Sequence, residues 1–210
     1  MSRSRAKILR EVRPLDEASI HGVTFDGRLV WFARNDELVA FDPATERVVH
    51  RHAIPGVAAG TAFDGENLYQ LAGAEILVVH PESGRVLRRL PSPGGGKDSG
   101  MAYADGFLWV GQFHAAQIHK VDATTGAVVG KFQSDRFVTG VSCIGGSLWH
   151  AVSEDGKAPE VRRLDENGAV LETWTVPVER IAGMESDGQD HFWCAGEKGK
   201  LRLVGRDDAS

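Results

Sequence analysis

Residues 100–132 read GMAYADGFLWVGQFHAAQIHKVDATTGAVVGKF, and this stretch decides the fold. An alternating run from Met101 to Tyr103 leads into Asp105-Gly106, a tight-hairpin signal because glycine tolerates positive φ. Leu108, Trp109 and Val110 follow, in a run rich in strand-formers. After a polar break from Gln112 to Ala116, Gln117 to Val121 makes a third strand. Asp122 to Gly126 is a turn, with an aspartate placed to bond the backbone, and Ala127 to Phe132 makes a fourth strand. The segment is one four-stranded antiparallel unit.

The rest of the chain holds worn copies of it. A glycine ahead of a short apolar strand recurs at Gly22, Gly60, Gly100, Gly140 and Gly183, at intervals of roughly 40 residues. Trp31, Tyr69, Trp109 and Trp149 each lie nine positions after their glycine, and Trp193 lies ten after its own. The turn between third and fourth strands recurs as FDPATERVV (41–49), VHPESGRVL (79–87), VDATTGAVV (121–129) and LDENGAVL (164–171). A four-stranded unit of this length is a propeller blade. The spacing predicts blades at 22–53, 60–90, 100–132, 140–176 and 183–204. The last of these lacks a fourth strand. Lys7 to Val12 align with Arg85 to Leu90, and residues 6–12 are expected to supply it. The result is a single-domain, five-bladed β-propeller with no open edge between first and last blades. Residues 1–5 read as a frayed tail.

A net charge of −5 and a pI near 5.9 argue against general binding to nucleic acid. The start, MSRSRAKILREV, has no apolar core of signal-peptide length, and no run approaches membrane-spanning length. The expectation is a cytoplasmic monomer with neither nucleic acid nor membrane as partner. Cys143 and Cys194 read as small buried hydrophobes, with a disulfide between inner strands unnecessary. The loop SPGGGKDSG (92–100) imitates a phosphate-binding loop, but Pro91 stands where the first glycine is needed and Asp98 replaces the serine or threonine. It reads as a surface loop. SEDGKAPE (153–160) is longer than its counterparts, and longer loops in repeat arrays often mark the working face.

Topology decides which side chains can meet. Residues just before each repeat glycine share one face with residues that follow each second strand. Near the axis this brings His21, Ala59, Ser99, Thr139 and Ala182. Around them come Arg34, Gln70, Gln112, His114, His150, Ser153, Glu154, Glu197 and Lys198, with Asp98 and Arg180 from the incoming loops. His21 stands alone as a titratable residue directly before a repeat glycine. It reads equally as an acid–base group or as a polar plug. His114 is placed either to act beside His21 or to lie on the loop surface. His150 alternates with Trp149 and so faces the other way, with packing between blades as its other reading. Arg34 and Glu154 would bind or orient a charged substrate, or form solvated ion pairs. His80 takes the slot of turn aspartates, His50 and His52 share one face of an outer strand, and His119 lies away from the mouth. The axial set offers too few oxygen and nitrogen ligands for calcium or zinc, so neither metal nor other cofactor is expected.

The opening glycines, LYQLAGAE (68–75) and LWVGQFHAAQIHKVDATTGAVVGKF (108–132) resemble small propellers of the glutamine cyclotransferase type. More loosely, the chain resembles streptogramin (virginiamycin B) lyase and gluconolactonase propellers. The first resemblance implies an acidic residue directly before a repeat glycine, and the gluconolactonase one an axial Glu, Asn and Asp metal cage. This chain has His21, Ala59, Ser99, Thr139 and Ala182 there, so the resemblance carries the fold and neither of those devices. The lyase resemblance implies His and Glu working at a channel mouth. The functional expectation is a small-molecule lyase, cyclase or hydrolase, with His21, His114 and Glu154 catalytic. Arg34, Gln70, Ser99, Gln112, Thr139 and His150 would bind substrate. The alternative is a non-catalytic propeller that engages a small ligand or protein partner through the same face.

Overall fold

The computed structural model describes residues 2–207. The chain begins with β1 (Ser2–Val12). One four-stranded sheet follows, made of β2 (His21–Phe25), β3 (Val30–Arg34), β4 (Glu37–Asp42) and β5 (Arg47–Ala53). A second holds β6 (Val57–Phe63), β7 (Leu68–Ala72), β8 (Glu75–Val79) and β9 (Val86–Pro91). A third holds β10 (Asp98–Ala104), β11 (Phe107–Gln112), β12 (Gln117–Asp122) and β13 (Val128–Gln133). The chain continues with β14 (Phe137–Ile144), β15 (Ser147–Ser153), β16 (Glu160–Leu164) and β17 (Val170–Thr175). It ends with β18 (Gly183–Ser186), β19 (His191–Ala195) and β20 (Leu201–Arg206).

The strand β1 serves two units. Its residues Ala6 to Val12 pair antiparallel with β20, as residues 6–12 were expected to do. Ser2 to Arg5 then pair in parallel with Glu172 to Thr175 of β17, fusing two units into one eight-stranded sheet. The frayed-tail expectation for residues 1–5 is therefore corrected for residues 2–5, and Met1 lies outside the described residues. The physical reason is the free edge of β17: its unpaired backbone groups accept any strand long enough to reach them.

The inner strands close a ring. β2 lies against β6, β6 against β10, β10 against β14, β14 against β18, and β18 against β2. The repeat glycines allow this approach. A Cβ on Gly22 would stand 2.2 Å from the Ala59 carbonyl oxygen, and one on Gly100 would stand 2.6 Å from Gly140 Cα. A Cβ on Gly183 would stand 2.8 Å from Gly22 Cα, so the last glycine meets the first. The repeat aromatics have the complementary role, each packing on the next sheet round. Trp31 shares a buried cluster with Leu68 and Leu77, Tyr69 with Met101 and Leu108, and Trp149 with Met184 and Phe192. Trp193 shares a cluster with Val23 and Phe32, which returns the circuit to the first sheet. Full burial of such a side chain contributes roughly 3 kcal/mol. The architecture is an all-β propeller.

The turns follow the sequence chemistry. Asp42, Asp122 and Asp165 each accept backbone N–H bonds from residues two to four positions on. His80 takes that role through Nδ1, 3.4 Å from the Ser83 nitrogen. His50 and His52 stack in line with Trp31, with ring centroids 5.7 Å apart between Trp31 and His50. Both cysteines are free thiols.

Candidate functional site

The ring of inner strands sets the residue before each glycine on one rim. There a cavity of about 170 Å³ is lined by His21, Ala59, Ser99, Thr139 and Ala182, together with Ala58, Asp98, Phe113 and Arg180. The glycines form its waist, because their close contacts leave no room for a side chain at that level. The cavity is smaller than the roughly 300–1,000 Å³ that holds a drug-sized ligand. It suits a compact molecule or one end of a longer one.

The polar groups on this rim differ in how well they are satisfied. Ser99 Oγ donates to the Val138 carbonyl at 2.7 Å, which fixes its proton and leaves its lone pairs to the cavity. Thr139 is buried, and its Oγ1 has no hydrogen-bond partner. A buried hydroxyl without a partner costs about 1–3 kcal/mol. The Arg180 guanidinium makes no ion pair among the described residues and lies at the edge of the cavity. Burial, and then the positive charge of Arg180, holds the His21 imidazole below the ordinary histidine pKa. His21 is therefore a neutral imidazole at pH 7, with one nitrogen able to accept a proton.

Asp98, also in the lining, is held in place by bonds of its own. Its Oδ2 accepts from the Gly94 N–H at 3.1 Å, and its Oδ1 faces Gln112 Nε2 at 3.5 Å. The glycine-rich loop thus folds onto this carboxylate, and Gln112 reaches the site through Asp98.

Other side chains expected at the site lie elsewhere. Gln70 is fully engaged: its Oε1 accepts from Thr61 Oγ1 at 2.7 Å, and its Nε2 donates to the Ala59 carbonyl at 2.9 Å and the Leu71 carbonyl at 3.0 Å. It props the rim backbone at Ala59. Arg34 is buried and paired with Asp16 at 2.5 Å, a residue of the segment that leads into β2. His114 is exposed and meets Phe113 edge-on at 4.9 Å, so Phe113 forms the cavity wall between. Glu154 pairs with Lys157 at 2.5 Å and Arg136 at 2.8 Å, and the Lys157 bond holds its carboxyl below the usual range. His150 is buried with neither ring nitrogen bonded, and burial pushes its pKa down to about 3.

The structure therefore brings His21, Ser99 and Thr139 together, adds Asp98 and Arg180 from the incoming loops, and leaves His114, Glu154, Arg34, Gln70 and His150 off the cavity wall. Phe113 was not picked out in the sequence. Its signal was its place directly after the second strand, next to the more conspicuous His114. Among the described residues, no three His, Cys, Asp or Glu side chains converge as a metal would require.

No protein-family model matches this chain, and no curated protein matches it. Solved structures do. The Myxococcus xanthus glutaminyl cyclase superposes with a TM-score of 0.81 over 98% of both chains, at 18% identity. The Kuenenia stuttgartiensis hydrazine synthase superposes with a TM-score of 0.56 at 16% identity, covering 87% of this chain and 56% of that one. At these identities the likeness is one of fold. The chain shares the backbone fold of that glutaminyl cyclase structure.

Proposed function

We propose that this protein is a five-bladed propeller that binds and transforms a compact small molecule at the mouth of its channel, with lyase, cyclase or hydrolase chemistry. One observation carries the reading: Thr139, whose buried hydroxyl has no partner among the described residues, lines the same cavity as His21, Asp98 and Arg180. An orphaned polar atom in a packed ring is a cost that a ligand's own donor or acceptor would remove. The glutaminyl cyclase backbone supports an enzyme over a bare scaffold.

The roles follow from the chemistry of each group. Arg180 holds an anionic group of the ligand at the cavity edge. Thr139 and Ser99 offer hydrogen bonds from adjacent rim positions. His21, neutral at pH 7, takes a proton from the reacting atom and returns it to the leaving group, the task of a general base turned acid. The small volume keeps the reacting group near these side chains. In this reading the protein works as a cytoplasmic monomer on a soluble molecule, without a metal or other cofactor.

The test is a thermal-shift screen of compact anionic metabolites against wild type and His21→Ala, with product analysis of each hit. The reading expects a ligand that stabilises and is turned over by the wild type and is not turned over by His21→Ala. Hits that stabilise both proteins equally, with no product from either, would replace catalysis by binding at another surface.

A further inference from the structure

Each repeat aromatic begins a row of side chains that crosses its sheet, and the strand register gives the outer member of the row. The rows are Trp31–Ala40–His50, Tyr69–Val78–Arg88, Trp109–Lys120–Gly130, Trp149–Arg163–Glu172 and Trp193–Leu203–Arg10. Four of the outer members are long side chains with partners. The His50 ring stacks on the Trp31 indole, with centroids 5.7 Å apart and planes 5° from parallel. Arg88 donates to the Ala123 and Thr124 carbonyls of the next sheet, each at 2.9 Å. Arg10 pairs with Glu46 at 2.7 Å. The Glu172 carboxylate accepts from Trp174 Nε1 at 2.8 Å and from Arg163 Nε at 3.2 Å, within a cavity that its own row lines. The fifth outer member is Gly130, which has no side chain to offer.

The backbone does not require a glycine there. Gly130 has no positive φ, and a Cβ on it would meet Lys120 Cβ at an ordinary 3.5 Å and nothing closer. A side chain would fit, and its absence leaves room beside the row. Trp31, Tyr69, Trp149 and Trp193 are 1%, 4%, 7% and 4% exposed, whereas Trp109 keeps part of its surface open. A cavity of about 420 Å³ lies against it, at the end of β10 remote from the mouth. That volume falls in the range of roughly 300–1,000 Å³ that holds small molecules. Phe107, Trp109, Lys120, Gly130 and Phe132 line one side. Phe132 stands 5.5 Å from Trp109, and Lys120 Nζ lies 4.0 Å from the Phe107 centroid and 5.1 Å from that of Trp109. Lys120 makes no ion pair among the described residues. Asp105, Asp165 and Glu166 are also in the lining. Asp165 is committed to the backbone of its turn, and Asp105 and Glu166 are exposed.

We propose that this groove is a second ligand site, which takes a planar aromatic carboxylate with its ring stacked on Trp109 in the place left open at Gly130 and its carboxylate on Lys120. The protein itself shows the fit. Where the outer member of the row is His50, a flat ring lies parallel to the repeat tryptophan. Where it is Gly130, that ring has to come from outside the chain. Stacked rings gain more than their burial alone provides. The charge follows from the lining. The Lys120 ammonium is held against aromatic rings with no carboxylate of its own, and an incoming carboxylate adds an ion pair to those cation–π contacts. The three acidic residues of the lining repel a ligand with several negative charges. A single carboxylate seated on Lys120 is the charge that fits, and a nucleotide or polyphosphate is not. The site shares no lining residue with the mouth.

The test uses trans-cinnamate as the probe. Cyclohexanecarboxylate keeps the charge without the flat ring, and cinnamyl alcohol keeps the ring without the charge. The indole N–H signals of the five tryptophans are followed by ¹H–¹⁵N NMR, with Trp109→Phe assigning one of them. The site predicts a saturable shift of the Trp109 signal by cinnamate, with a Kd below about 1 mM and at least about tenfold tighter than either control. Gly130→His supplies the ring that His50 supplies in the first sheet, and should weaken cinnamate binding at least about tenfold. Lys120→Met should weaken it about fivefold or more and leave cinnamyl alcohol unchanged. Should Gly130→His not fold, Gly130→Leu fills the same place and carries the same expectation. A Trp109 signal unmoved by cinnamate at about 5 mM would overturn the site. Binding that survives both the filling of Gly130 and the loss of the Lys120 charge would overturn it too, as would cyclohexanecarboxylate binding as tightly as cinnamate.

Discussion

The rim in front of the glycine ring and the layer behind it are built from the same repeats but are finished differently. Behind the glycines, polar groups answer one another: Ser142 and Thr24 meet Glu185, and Thr61 meets Gln70. In front, among the described residues, Thr139 Oγ1 has no partner, Arg180 has no ion pair, and His21 stays neutral. One layer satisfies itself and the other leaves groups facing a cavity. The difference teaches where to expect chemistry, because a group that is fully bonded within the protein has little left for a ligand.

The comparison can be broken or sharpened by substitution. The largest effect belongs to the rim: His21→Ala is expected to lower kcat/KM on the screened substrate at least 100-fold while leaving the melting temperature nearly unchanged. A variant with intact turnover would remove the rim from the mechanism. Next comes the packed interior at low pH. His150 is neutral in the fold and ordinary in the unfolded chain, so stability is full above about pH 6.5. It falls as pH drops from there toward about 3, by up to about 4 kcal/mol. The stability difference between wild type and His150→Leu in urea unfolding should show that loss between pH 7 and pH 4.

Two smaller effects separate the layers further. Gln70→Leu removes every bond that holds the Ala59 carbonyl and the Thr61 hydroxyl from this side chain. It should cost about 3 kcal/mol in urea unfolding. Thr139→Val removes an unpartnered hydroxyl at nearly constant volume. Its stability should stay within about 1 kcal/mol of wild type, while ligand affinity drops about tenfold. If Thr139→Val destabilised the protein as much as Gln70→Leu, the hydroxyl would belong to the packed layer instead of the rim.

Much of the fold was legible because the repeat is carried by residues with few substitutes. Glycine is required where Gly60, Gly100, Gly140, Gly183 and Gly22 meet backbone to backbone, and an aromatic ring is required where each sheet covers the next. The turn aspartates leave an equally plain mark. What β1 does beyond β20 was not legible. Parallel pairing of Ser2 to Arg5 depends on the free edge of β17, and the polar sequence SRSR carries no pattern that declares it. The candidate site was legible in part for the same reason. Register fixed His21, Ser99 and Thr139 to the rim, since each directly precedes a repeat glycine. It could not tell that Arg34 would turn to Asp16, that Gln70 would bond backward to Ala59, or that Phe113 would stand between His114 and the cavity. Those outcomes depend on which way a side chain leaves a loop or strand end. Glu185 was missed because its neighbours in the layer, Thr24 and Ser142, come from strands far apart in sequence.

The central claim is that the mouth is where a ligand meets this protein, and histidine NMR tests it most directly. The protein has eight histidines, and ¹³C-labelled imidazoles with the His21→Ala spectrum assign one of them. On titration with a stabilising compound from the screen, the account predicts that the His21 resonance shifts in proportion to occupancy while those of His50, His52 and His150 stay fixed. A compound that leaves His21 unmoved and shifts His191 or the His50–His52 stack would contradict it, and would place the ligand away from the channel mouth.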